Sequence, residues 1–513
     1  MSILLNRNQA LIAVTENGFA LRFVSEEFKR DRKIVTAAVN NRALALKYAS
    51  QELKEDYEIV LSAVNKDGIS LEHASPDLQN NREIVLEAVN NNGLALRFAE
   101  NFQNDREIVL EAVNNNGLAL QHASPELKND PKIVFPAVNN CAMALKYAEI
   151  FQNDREIIMA AVNNDGDSLR FASPELQNDR EIVLAAVTDY GRALEYVSQK
   201  LQNDREIVFA AVNNEGNALE YASLELRGDN EIVLAAVNNN SLALKFASPE
   251  LKNDRDLVLI AVKKNPNVLR FASPELQNNY NFILEVVTED SNVLEFVLPK
   301  FRRDVEIVLA AITNNSTSLK YASLLSELRN DYNFILKGVT RNGLVLRWSS
   351  QELRSNREIV LAAVTNNGHA LRFASPIFRR DRDIVMTAVR QNGIALQYAS
   401  KELQNDHEIV LAAINIEPYA LQYASYSLRE DREIVMAVVT QNAYALNLAS
   451  AKLKNDREIV LASVKQNINA LYFVDQNLHN SWNKKKTYLL LRDLSNNDNI
   501  LNDNIIKSIT RFL

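Results

Sequence analysis

The sequence predicts an all-α solenoid of about 19 tandem 25-residue units, and three observations carry that expectation. An apolar pair, usually Ile-Val, recurs at Ile34, Ile59, Ile84, Ile108, Ile133 and Ile157, and continues at the same interval to Ile459. The step is 25 residues in most cases, 24 twice and 27 once, and a degenerate first copy fits at Gln9. A fixed period in this range marks a stacked array rather than separate globules. Within each unit the apolar residues follow one helical stripe, and polar runs rich in Asn separate the stripes.

Counting from the first Ile as position one, positions one, two, five and six are apolar, which gives one face of a short helix. An Asp or Asn stands three residues before position one, from Asn6 and Asp31 to Asp456. That is the N-cap, where a side-chain oxygen accepts an orphan backbone N–H. Pro131 follows the cap Asp130, at the first helical position, where a missing N–H costs nothing. Pro136 falls inside the same helix and is expected to break it. The polar turn comes next. Position ten is Gly in ten units but Pro in two, Pro266 and Pro418. Proline cannot take a positive φ, so the turn is expected to rest on its Asn residues, with position nine capping a second helix. In that helix position thirteen is Leu in all 19 units. Position fifteen is aromatic or His in 18, with Leu448 the exception. A closing Ser-Pro-Glu-Leu reads as one 3-10 turn.

Such short helices are marginal alone. Stacking is expected to bury Val, Leu and the position-fifteen ring against the next copy. The array is expected over residues 1–480. Residues 481–513, with a helix from Trp482 to Leu494, are expected to close it. The two-residue insertion within 323–331 is expected to bend the stack.

The net charge is −8 and spread along the chain, which argues against nucleic acid or an anionic membrane as partner, since both need concentrated positive charge. The single cysteine, Cys141, excludes an internal disulfide framework and a multi-Cys zinc site. The first residues lack the pattern of a secretory signal, and no apolar run reaches the roughly 20 residues of a membrane span. The expectation is a soluble cytoplasmic chain.

Asp105, His122 and Ser124 look like a catalytic set, yet each stands at a position that recurs in every unit. Asp105 is a cap, Ser124 opens the closing turn, and His122 takes the aromatic position, as does His73. His369, His407 and His479 occupy three different positions in separated units. No catalytic, cofactor-binding or metal-binding residue is therefore assigned, and the chain is read as non-enzymatic.

Function is expected at outward positions that vary. Position fourteen mixes charges and reads as a solvated face. Position eleven is apolar in the first six units, at Phe19, Leu44, Ile69, Leu94, Leu118 and Met143, and aromatic at Tyr419 and Tyr444. If exposed, this row is a strip that seats a segment of a protein partner. Binding of single-stranded RNA on the repeated rings, or a purely structural rod, are the alternatives.

The unit exemplified by Arg357–Val364, REIVLAAV, followed by a polar turn, Ala-Leu, an aromatic and Ala-Ser, resembles the repeat known as domain of unknown function 4116. That repeat occurs in Legionella-type bacteria and some protists. The resemblance covers roughly residues 6–478. It implies an α-solenoid, assigns no activity, and raises the expectation of a protein delivered into a host cell. The unit is also similar, more distantly, to leucine-rich-variant repeats, which alternate an α-helix with a 3-10 turn.

Overall fold

A computed structural model describes residues 6–474, except Leu324. The expected closing helix at Trp482–Leu494 lies outside the described residues. The chain divides into two compact units, Met1–Ser273 and Pro274–Leu513, and each is an all-α solenoid of the same repeat.

One repeat of the first unit shows the construction. Its α-helix runs Arg106–Asn115. The cap Asp105 accepts from the backbone N–H groups of Glu107 and Ile108 at 3.0 and 3.1 Å, which supplies two of the donors a helix start leaves unpaired. Asn116 then does two jobs. Its backbone N–H closes the α-helix on the carbonyl of Ala112. Its side chain accepts from Leu118 N–H at 3.0 Å and opens the next segment. It does so at φ −148°, ψ 109°, an extended conformation that any residue adopts. In this repeat the turn is carried by Asn at position nine, and Asn265 does the same before Pro266, whereas Glu417 before Pro418 and Arg42, Cys141, Tyr190 and Glu215 make no side-chain cap bond.

The second segment, Gly117–His122, is a 3-10 helix. At three residues per turn, positions ten, thirteen and sixteen share one face. Gly117, Leu120 and Ala123 accordingly lie buried, with Ala119 beside them. The aromatic position is therefore not core. The rings expected to be buried, His122, Tyr147 and Phe171 among them, are half-buried, because position fifteen lies off the face that carries Leu. The closing segment is a single α-turn in some repeats, such as Pro125–Lys128, and 3-10 in others, such as Leu176–Asn178.

Pro136 does not break its helix, which runs unbroken through Pro131–Asn140. The intrahelical bond it forfeits belongs to the carbonyl of Lys132, an exposed residue open to solvent, which keeps the cost of the loss low.

Ile108, Val109, Ala112, Val113 and Leu120 are fully buried. Burying one such Leu contributes about 1.5–3 kcal/mol. Within each unit, successive α-helices pack in one layer and successive 3-10 segments in another. Among the described residues no helix is long and apolar enough to cross a membrane.

Candidate partner-binding face

The 3-10 layer presents positions eleven, fourteen and fifteen outward. In the first unit Phe19 is 40% exposed, while Leu44, Ile69, Leu94, Leu118 and Met143 are half-buried. In the second unit Tyr419 and Tyr444 are 42% and 38% exposed. Three position-eleven rings, those of Phe19, His369 and Tyr444, meet the position-fifteen ring of the following repeat. Phe19 meets Tyr48 edge-to-face with ring centroids 6.4 Å apart, and Tyr444 meets Phe473 at 6.0 Å. Where position eleven is polar the neighbour is the same: Arg192 donates to the Tyr221 hydroxyl at 3.1 Å. The expected strip is thus brought together over six consecutive repeats of the first unit, bordered by a parallel row of half-buried rings.

Position fourteen lies over that ring row. Arg97 stands 4.3 Å from the Phe98 centroid, Arg170 4.8 Å from Phe171 and Lys245 4.2 Å from Phe246. Cations so placed gain from the ring quadrupole and cover apolar surface with their stems.

Two polar ladders explain residues that look like chemistry. Asn115 accepts from Gly93 N–H at 2.8 Å and donates to the Asn90 carbonyl at 2.8 Å, one repeat earlier. Asn41, Asn91, Asn140, Asn214, Asn239 and Asn366 bridge neighbours in the same way. The run of Asn is a seam between repeats. Sequence reasoning missed it, although the recurrence of Asn at position eight was its visible signal. The second ladder is ionic and joins the arginine at one helix start to the acids at the next. Arg155 pairs with Asp179 at 3.0 Å and with Glu181, and Arg205 pairs with Asp229 at 3.2 Å and with Glu231. The arginine beside Asp31 and the backbone N–H of Ile232 on Asp229 each hold a cap carboxyl below its usual range.

Asp105, His122 and Ser124 form no catalytic set. Asp105 is spent on backbone N–H groups, and the Ser124 hydroxyl donates to Asn104 at 2.6 Å. Burial pushes the His122 and His73 rings below the ordinary histidine range. Cys141, half-buried, takes the position-nine cap without a side-chain bond. An open hollow of about 540 Å³ beside Val162, Glu181, Leu184 and Asp189 lies on the α-helical layer. Among the described residues no group of three metal-ligating side chains converges.

Stacked short helices, with a capped turn and a 25-residue period, define the class: a tandem-repeat α-solenoid. A family model described as a domain of unknown function (DUF4116) matches residues 6–54, 56–103, 105–150, 137–177, 154–201, 179–227, 229–277, 279–329, 331–379, 381–429 and 431–479. The chain belongs to that family. Most matches span two repeats. No curated protein matches the chain.

Proposed function

We propose that the protein is a non-enzymatic scaffold that binds a segment of a protein partner along the 3-10 face of its first unit. The observation that carries this reading is the unbroken row from Phe19 to Met143: six consecutive repeats each offer a partly exposed apolar side chain at the same position of the 3-10 layer. An amphipathic helix or extended segment presenting apolar residues at regular intervals fits such a row.

The test is a displayed peptide library selected on the intact chain. Affinities of the selected peptides are then measured against a Phe19→Asp/Leu44→Asp/Ile69→Asp/Leu94→Asp variant. Position eleven is naturally Asp167 in a later repeat, so the change is compatible with the fold. We expect binding at least tenfold weaker; equal affinity for both chains ends the proposal. Residence in a cytoplasm, and delivery into a host cell as an effector, belong to the same reading. A translocation reporter fused to the chain, silent inside infected cells, would remove the delivery.

A further inference from the structure

The chain is acidic overall, at −8, yet residues 300–380 of the second unit hold thirteen lysines and arginines against six acids, a local balance of +7. Four of those acids, Asp304, Glu306, Asp331 and Glu358, cap or begin α-helices and are engaged there. The cations concentrate elsewhere. Lys320, Arg347 and Arg372 occupy position fourteen on the 3-10 segments and are exposed. A second row stands one residue after the closing Leu or Phe of each repeat, at Arg302, Arg329, Arg354 and Arg379. Arg379 shows how that row is placed. Its guanidinium donates to the carbonyls of Arg372 and Ala374, at 2.7 and 3.3 Å. It is thereby held beside the end of its own 3-10 segment, next to position fourteen. A guanidinium has five N–H donors, so this docking leaves others directed outward.

Half-buried rings lie beside the position-fourteen row. Lys320, Arg347 and Arg372 stand 4.5, 5.4 and 5.9 Å from the centroids of Tyr321, Trp348 and Phe373. Among the described residues none of these seven cations is ion-paired, whereas Lys337, Arg341 and Arg357 on the helical layer are. Seven cations over four successive repeats outnumber the acids set among them, Glu295, Glu327 and Glu352, and they gain stability when an anionic chain lies across them.

We propose that this surface binds single-stranded nucleic acid, with phosphates on the two cation rows and bases against the neighbouring rings. Cationic grooves interleaved with aromatic faces are the physical requirement for such binding, and unpaired bases alone can reach the rings. An acidic peptide would use the cations but not the rings. It would also find the apolar strip interrupted here, since position eleven is Thr317 and His369. The site lies in the second unit and does not depend on the proposed peptide strip of the first.

The experiment is fluorescence anisotropy on the intact chain, with a labelled 20-nucleotide oligouridylate as probe and unlabelled polyglutamate of equal length as competitor. Binding is expected at about 50 mM salt and should weaken on the order of a hundredfold at about 200 mM, as counterions are no longer released as favourably. It should be lost in Lys320→Glu/Arg347→Glu/Arg372→Glu, a change the fold accepts, since position fourteen is naturally Glu295 one repeat earlier. Trp348→Leu, which places the Leu448 side-chain type in the aromatic position, should weaken binding about tenfold. Helical circular dichroism confirms that both variants are folded. Absence of binding at low salt overturns the proposal, as does unchanged binding by the triple variant. Polyglutamate competing as well as unlabelled oligouridylate, with Trp348→Leu unaffected, would assign the surface to acidic peptides instead.

Discussion

A Cβ on Gly93 would stand 2.1 Å from the Ala112 carbonyl oxygen and 3.0 Å from its carbon, while one on Gly228 would meet nothing closer than 3.7 Å. No glycine in the chain has the left-handed φ that would strain a side chain, so close approach, not backbone freedom, selects glycine at position ten. That approach lets the glycine N–H reach the Asn of the next repeat. Where position ten is Ala142 or Ser291, the Asn keeps only its bond to a carbonyl, as Asn164 does to Asn139 and Asn314 to Thr288. Gly93→Ala is therefore expected to destabilise the intact chain by about 1–3 kcal/mol. Gly228→Ala should be neutral or stabilising by up to about 1 kcal/mol. Thermal denaturation of the two variants side by side decides it, and equal losses would mean that the contact at Gly93 is not what matters. His73 and His122 give a second residue-scale expectation. Their folded values are pushed below 6.5 by burial. Stability is thus full above pH 6.5 and falls as pH drops toward the depressed folded values, because the unfolded chain takes up protons that the folded rings resist. The cap carboxylates Asp31 and Asp229 act only at lower pH, since theirs lie below 3.8. The fall in thermal midpoint between about pH 7.5 and pH 5 should shrink in His73→Phe/His122→Phe; an unchanged fall would assign it to other groups.

At the scale of the element, the cap and the ionic ladder share residues but not weight. Asp229 accepts from the backbone N–H groups of Glu231 and Ile232 at 2.9 and 3.0 Å and is also paired with Arg205. Arg205 is half-exposed, with 52% of its side chain in solvent, so its pairs are screened. Arg205→Ala should cost about 0–1 kcal/mol and less at high salt. Asp229→Ala should cost about 0.5–2 kcal/mol at either salt concentration. Urea denaturation at low and high ionic strength separates the two, and a larger loss from the arginine would reverse the ranking. The caps were legible because they depend on one side chain and the two N–H groups that follow it. The burial pattern of the second segment was not. A spacing of Ala-Leu-x-aromatic reads alike for an α-helix and a 3-10 helix, and only the 3-10 winding turns Leu120 inward and leaves His122 half-exposed. Position eleven was recognised as a strip from its composition, while its neighbours across the repeat boundary, such as Tyr48 beside Phe19, depend on the stacking register. Pro136 was misjudged for a related reason: the cost of a lost helical bond depends on which side of the helix faces water.

For the molecule as a whole, a repeat array distributes stability by neighbourhood. Each repeat buries its stripe against the copies before and after it, and no centre is shared by all of them. Removing core from one repeat should therefore be felt locally. Leu120 is fully buried, so Leu120→Ala should cost about 2–5 kcal/mol, the usual range for a cavity in a packed core. Read by hydrogen exchange under native conditions, the loss of amide protection should centre on Arg106–Asn115 and Gly117–His122 and on the adjoining helices Arg82–Asn91 and Pro131–Asn140. The helices Arg357–Asn366 and Arg382–Gln391 of the second unit should exchange as in the unaltered chain, because opening energies in such proteins follow contiguous segments. A uniform loss across both units would show that the chain unfolds as one cooperative body. The independence of the peptide strip in the first unit from the cationic surface in the second would then fail with it, since a ligand on either would stabilise both.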